Sequence, residues 1–361
     1  MRYYGCDAHK RYSLFSSIDE DGHFGSSVRI ENSRYQFSRF LHGLPEGSPI
    51  AIESVGNWYW MIDEIEKAGH VPLLVHARKA KLMMGQVNKT DKLDARGLAL
   101  LMRNGTLPSV WIPPGELRDL RELPRTRMAQ VGVRTKLKNR IHAALAKYAI
   151  EIREVSDIFG SSGRQILQKR LVELPPQTRR SVEAQLTLLD QVEEHIRESE
   201  DQIKVIIDQT PEMKRLMSMP GVGKILSIVI ALEIGDVNRF PSPQHLASYA
   251  GTVPRIKSSG GRSVYGKVRS DVNRYLKWAL VEAANVVVLN QARWSDRHVV
   301  RLYGRIRHRK GHAKAVVAVA RHLAEAAYWM LKREEAYKEP KQDSSTRKEA
   351  RVSHEEKKLV H

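Results

Sequence analysis

Residues Asn88–Ala99 read NKTDKLDARGLA, and the pair Asp91 and Asp94 inside them frames the rest of the chain. Thr90 is a good helix N-cap, and Leu93, Leu98, Leu101 and Met102 fall roughly on one apolar face, so the spacing predicts a helix from Asp91. Residues three apart share a side of a helix, which lets Asp91 and Asp94 point the same way. Two neighbouring carboxylates repel, and a hard cation is the usual partner that makes the arrangement favourable. Acids in a first turn also suit the helix dipole, and either could pair with Lys92 or Arg96 at the surface. What surrounds the helix decides between these readings.

Upstream, Tyr3–Asp7, Tyr12–Ile18 and Phe24–Ile30 read as short strands separated by turn-like breaks at His9–Lys10 and Asp19–Gly22, an antiparallel meander. A helix over Arg34–Leu41, a buried strand at Pro49–Glu53, a helix over Trp58–Ala68, a strand at Val71–Val75 and a helix near Arg78–Met84 follow. The order β-β-β-α-β-α-β-α-α predicts an α/β domain with a mixed sheet. Asp7 and Glu53 end the first and fourth strands, and functional residues of open α/β sheets collect at carboxyl ends of strands. Asp7, Glu53, Asp91 and Asp94 are therefore expected to converge. Four carboxylates without histidine or cysteine suit Mg²⁺ or Mn²⁺ and not zinc. Such a site in a basic protein is equipment for phosphodiester chemistry. Trp58, Tyr59 and Trp60 read as packing residues at a helix start.

The formal net charge of the 361 residues is +19, which points to a polyanionic partner, nucleic acid first. No apolar run is long enough to span a bilayer, and the first thirty residues lack a signal peptide's pattern. With Cys6 the single cysteine, there is no disulfide framework and no zinc spacing. The expected setting is cytoplasmic, associated with the nucleoid.

Pro108, Pro113, Pro114 and Gly115 mark a break that closes a first domain at residues 1–112. Glu116 to about Tyr148 reads as one long basic helix, kinked or ended early by Pro124, with Arg118, Arg121, Arg125, Arg127, Arg134, Lys136, Lys138 and Arg140 as a nucleic-acid face. GSSG at Gly160–Gly163 and Pro175–Pro176 read as breaks around a short helix. Gln177–Gln209 is a second long helix with near-heptad apolar spacing, suited to an antiparallel partner for the basic helix or to a dimer seam. Together these form a helical segment, 113–210. In the third, 211–337, Pro220-Gly221-Val222-Gly223 before an apolar helix resembles a helix-hairpin-helix turn, whose N–H groups can hold a phosphate; a plain turn explains it nearly as well. Ser258-Ser259-Gly260-Gly261, flanked by Arg255, Lys257 and Arg262, reads as a flexible basic loop that could cradle phosphate, or equally as a polar hairpin turn. Gly266–Ala284 is expected to be helical with Arg269 and Arg274 on its polar side. His308 and His312 are four apart, but Gly311 between them argues against a ligand pair. Residues 338–361 read as a charged, disordered tail.

Seven blocks, GCDAHK, IESVGNWYW, KTDKLDARGLA, MPGVGKILSIVIALEIGD, LASYAGTVPRIKSSGGR, NRYLKWALVEAA and KGHAKAVVAVARHLAEAAYWML, stand in the order found in the DEDD transposases of insertion sequence family 110, which the chain resembles from residue 3 to about 333. The resemblance implies an α/β RNase H/RuvC-like domain with Asp7, Glu53, Asp91 and Asp94 as a Mg²⁺ tetrad. It also implies a coiled-coil insertion and a mainly α C-terminal transposase domain. Ser259 would be the nucleophile, with Ser258 its near neighbour, giving a phosphoserine–DNA intermediate. Donor and target DNA would be chosen by pairing with a structured guide RNA, by dimers that assemble into tetramers. The alternative keeps the RuvC-like domain as a metal-dependent junction nuclease in which water attacks.

Overall fold

The computed structural model describes residues 1–85, 90–269 and 271–340, so Asn88 and Lys89 of the opening stretch and most of the expected tail lie outside it. The chain divides into two compact units, 1–115 and 116 onward.

The first unit runs β1 (Arg2–Ala8), β2 (Tyr12–Asp19), β3 (Val28–Glu31), α1 (Arg34–Leu41), β4 (Pro49–Glu53), α2 (Trp58–Lys67), β5 (Val71–Val75), α3 (Ala77–Met84) and α4 (Asp91–Arg103). The sheet order is β3-β2-β1-β4-β5. The first three strands form the expected antiparallel meander, and β4 and β5 add in parallel beside β1. Successive side chains alternate faces. One face, with Cys6, Phe15, Ile50 and Ile52, packs against Phe37 and Leu41 of α1 and Met61 and Ile65 of α2. The other face sets Ala51 and Val75 against Ala80 of α3 and Leu98, Leu101 and Met102 of α4. The third strand is shorter than the sequence predicts. Phe24 makes only an isolated bridge to Ile18, because Gly25-Ser26-Ser27 has poor strand propensity and Gly25 passes close under Ser17.

The second unit carries α5 (Gly115–Leu120), α6 (Glu122–Ala146), α7 (Ser161–Arg170), α8 (Pro176–Ile206), α9 (Pro211–Leu216), α10 (Lys224–Ile234), α11 (Pro243–Tyr249), β6 (Pro254–Ser259), β7 (Arg262–Val268), α12 (Arg274–Leu289), α13 (His298–Lys310) and α14 (His312–Arg333). The expected single basic helix is two. The break falls at Arg121, so Pro124 sits in the first turn of α6, where a missing N–H costs nothing. α6 and α8 are antiparallel neighbours: Arg127 pairs with Glu200 at 2.6 Å and Lys138 with Glu193 at 3.4 Å, and Tyr148 reaches Thr178. That realises the intramolecular option for the second long helix. GSSG is no break: Gly160 caps α7 and Ser161 opens it.

The loop around Ser259 is a two-stranded hairpin, Pro254–Ser259 with Arg262–Val268. Gly260 and Gly261 at its tip have φ of +55° and +76°, the backbone that a tight two-residue hairpin turn requires and that glycine adopts without strain. The helix expected from Gly266 begins only at Arg274, because Gly266–Val268 still pairs in the hairpin and Asn273 supplies the cap, accepting from the N–H groups of Tyr275 and Leu276. Gly221 (φ +79°) lies so close to α12 that an added Cβ would stand 2.1 Å from the Ala283 carbonyl oxygen. Packing therefore already explains that glycine. The α12–α14 bundle holds the largest apolar core. The start of the expected disordered tail is docked: Tyr337 N–H donates to Ser218 Oγ at 2.8 Å and Glu339 accepts from the N–H of His298 at 2.9 Å.

Candidate metal centre

Strand register fixes where two of the four acids stand. In β1 and β4 Cys6 stands opposite Ile52, so Asp7 and Glu53 come next at adjoining carboxyl ends. Gly5 and Asp7, like Ala51 and Glu53, point to the face that α4 covers. α4 begins at this edge, with Thr90 Oγ1 capping it by accepting from the N–H of Leu93, so its first turn delivers Asp91 and Asp94. The helix seats directly on β1. A Cβ on Gly5 would lie 2.1 Å from the carbonyl oxygen of Ala95.

Ligand atoms of Asp7, His9 and Asp91 lie within 4.8 Å of one another. His9 Nε2 stands 3.1 Å from Asp7 Oδ2 and 3.2 Å from Asp91 Oδ2, and the Tyr12 hydroxyl donates to Asp91 Oδ2 at 2.7 Å. Burial pushes the Asp7 carboxyl above its ordinary range; His9 opposes that shift, while Asp91 and Asp94 add to it. The Tyr12 hydrogen bond holds the more open Asp91 below the ordinary range. Glu53 adjoins the group, near enough for its charge to act on the Cys6 thiol, which burial has already pushed far up.

Among the described residues the ligand atoms that come together are those of Asp7, His9 and Asp91; Glu53 and Asp94 do not join them within that distance, and a histidine stands where an all-carboxylate set was expected. The tight turn between β1 and β2, with His9 N–H donating to Tyr12 O at 2.9 Å, folds the imidazole over Asp7. Sequence reading treated His9 only as a break between strands. Its signal was its place two residues beyond a strand-end aspartate. The donor set still fits a divalent cation, because the charges of Asp91 and Asp94 disfavour ionisation of the partly buried Asp7, and a cation beside it would offset that cost.

Comparison with known proteins accords with this geometry. A profile described as a transposase, of the DEDD type found in IS110 elements, matches residues 4–150. A second, described as the transposase IS116/IS110/IS902 family, matches residues 213–299. The chain belongs to the IS110/IS116 family of transposases. The transposase for insertion sequence element IS1111A of Coxiella burnetii is 27% identical over 251 residues, covering 70% of this chain and 69% of the relative. A probable family 20 transposase of Pseudomonas aeruginosa is 25% identical over 342 residues, covering 92% and 98%. The transposase for element IS1328 of Yersinia enterocolitica is 27% identical over 321 residues, covering 86% and 91%. The transposase described here is thus an enzyme of DNA cleavage and rejoining, and its DEDD domain is of a kind associated with divalent metal.

Several cations that the sequence offers to nucleic acid are used inside the transposase. Arg118 and Arg121 are buried. Arg121 donates to the carbonyl oxygens of Leu232 and Glu233, and Arg125 grips the Glu233 carboxylate with two bonds of 2.8 and 3.0 Å. Arg127 and Lys138 pair with α8, and Arg269 pairs with Asp271. Lys136 and Arg140 on α6, Arg255 and Arg262 on the hairpin, and Arg274 are exposed, while Arg134 is half-buried. The side chain of Lys257 lies outside the described residues. No helix among the described residues is long and apolar enough to cross a membrane.

Proposed function

We propose that this transposase cuts and rejoins DNA at the carboxylate centre of its first unit, with Mg²⁺ or Mn²⁺ held by Asp7, Glu53, Asp91 and Asp94. The observation that carries the reading is the convergence of Asp7, His9 and Asp91 at the end of β1 and the start of α4. The sheet order β3-β2-β1-β4-β5 supports a RuvC-like domain. Bound there, the cation would neutralise phosphate charge and make a coordinated oxygen more acidic.

On the finer reading, Ser259 is the nucleophile. Its Oγ bonds to phosphorus as the bond from phosphorus to the leaving strand's oxygen breaks; the hydroxyl proton is given up and the departing oxygen is protonated. A second duplex then reverses the step. Exposure of Ser259 at a hairpin tip, paired across the strands with Arg262, supports this. A structured guide RNA would choose donor and target, leaving the protein to hold backbone and shape, and dimers would pair into tetramers. The alternative, attack by water in a RuvC-like nuclease, has its own support: the turn geometry accounts for Gly260 and Gly261 without chemistry, and Ser258 Oγ already bonds to Ser263 Oγ at 2.7 Å across the hairpin.

The test is a denaturing gel of end-labelled DNA incubated with protein, RNA and Mg²⁺, with Ser259→Ala alongside. A magnesium-dependent covalent protein–DNA band that disappears in the variant is the expected result. Free cleaved DNA, equal in both proteins, would establish water as nucleophile. A band lost in Ser258→Ala but kept in Ser259→Ala would move the role by one residue.

A further inference from the structure

The first half of α6 and α13 use their cations in opposite ways. Arg121 at the cap of the former and Arg125 and Arg127 within it, with Lys138 further along, are matched to carboxylates. No acidic residue occurs between Asp296 and Glu325. Within that interval Arg301, Arg305, Arg307, Arg309, Lys310 and Lys314 are all exposed. None of them is paired with a carboxylate among the described residues; Arg301 donates to the carbonyl oxygen of Asp296, and Arg307 lies 5.9 Å from the Tyr303 ring centre. Cations in a last helical turn suit the dipole, which accounts for Arg307, Arg309 and Lys310 in part. It does not account for Arg301 and Arg305 in the body of α13, nor for Lys314 in the first turn of α14, where the dipole opposes it.

A second observation lies on the same face. Val299 and Tyr303 fix the buried side of α13. At 100° per residue, Arg301, Gly304, Arg305 and His308 fall on the opposite, solvent side. Gly304 is exposed, and a Cβ there would meet nothing within 4 Å. A glycine inside a helix costs roughly 0.5–1 kcal/mol relative to alanine, and no contact among the described residues requires this one. A smooth spot between two arginines is what close approach of a nucleic-acid backbone needs.

We propose that the solvent face of α13, centred on Arg301, Gly304 and Arg305, docks the phosphate backbone of duplex DNA. Arg301 and Arg305 are one helical turn apart, about 6 Å along the axis, and each can hold one phosphate by a forked pair of bonds. Gly304 lets the strand lie against the helix between them. The chain's own tail is a poor competing occupant: residues 341–361 carry Lys341, Arg347, Lys348, Arg351, Lys357 and Lys358 against four acids, so their balance is also positive. This surface rests on the reading above that the protein works on DNA.

The experiment is DNA binding by the full chain, read as fluorescence anisotropy of a labelled 30-base-pair duplex over a range of NaCl concentrations. It uses wild type, Arg301→Gln/Arg305→Gln and Gly304→Gln, with a labelled structured RNA in parallel. In the double variant, the slope of log affinity against log salt is expected to shrink by nearly two. Affinity near physiological salt should fall on the order of tenfold to a hundredfold. Gly304→Gln should weaken DNA binding while raising the melting temperature, a split that simple misfolding cannot produce. Unchanged DNA binding in both variants would overturn the proposal while leaving the general reading intact. Loss of RNA binding alone would overturn it in favour of RNA, and a wild type that does not bind DNA would overturn the reading beneath it.

Discussion

Gly5 shows how a single absent methyl group can hold a site together. It lies in a strand, where glycine is a poor choice, yet a Cβ would stand 2.1 Å from Ala95 O and 2.7 Å from Ala99 N, both backbone atoms of α4 that cannot swing aside. Gly5→Ala must therefore push α4 off β1, and Asp91 and Asp94 travel with it. Overpacking of this kind costs about 1–3 kcal/mol. Urea unfolding should register that loss, and magnesium-dependent cleavage should fall further than the folded fraction does. Gly97→Ala is the control on the same helix, since its Cβ would meet the flexible end of Met84 and should cost less. Equal losses from both would mean that seating on β1 does not set the acids. The sequence carried the acids openly, because strand ends and helix starts have local signatures. It hid His9 and Tyr12, whose roles come from a turn that folds them back over Asp7 and Asp91.

Among elements, the buried network at Glu233 decides how α10 meets α6. Glu233 is 2% exposed, with Arg121 and Arg125 on one side and the Asn273 amide donating to it at 2.8 Å on the other. Burial lowers the pKa of Arg121, and the Glu233 charge works against that shift. Removing one partner of such a set leaves the other charges buried without compensation, at a cost of about 3–5 kcal/mol. Glu233→Ala should lower the unfolding midpoint accordingly, whereas loss of the exposed Glu198 on α8 should change it little. A small effect at Glu233 would mean that water reaches the network. Helices and strands were legible because 3.6- and 2-residue periodicities are local; Arg34–Leu41, Pro49–Glu53 and Val71–Val75 fall where the spacing predicts. The use of the arginines was not, since Arg125 and Glu233 are 108 positions apart and sequence gives a charge without its partner. The hairpin around Ser259 was read as open between loop and turn for the same reason, because only strand pairing across Gly260-Gly261 separates them.

At the scale of the whole chain, a net charge of +19 makes every further proton on a folded domain unwelcome, and one cluster is built to refuse them. His298 and His322 stack with ring centres 4.8 Å apart, and the Tyr337 hydroxyl lies 3.2 Å from His322 Nε2. Burial lowers the pKa of both imidazoles. His298 further lowers that of His322, and Arg301 and Arg305 further lower that of His298, while Glu325 and Glu339 oppose these shifts. The unfolded chain then takes up protons on these histidines once the pH drops below about 6.5, where the folded chain still resists them. Protons bound preferentially by the unfolded state mean that stability rises with pH across this window and is lost as pH falls through it. The urea midpoint, followed by tryptophan fluorescence, should therefore drop between pH 7.5 and pH 5.5, and His298→Gln/His322→Gln should flatten the drop. An equally steep drop in the double variant would assign the pH dependence to other groups. Because Glu339 also caps α13 by accepting from the N–H of His298, protonation would first be felt where residues 337–340 dock. Loosening there should appear in hydrogen exchange at the start of α13 before the core of α12 and α14 opens.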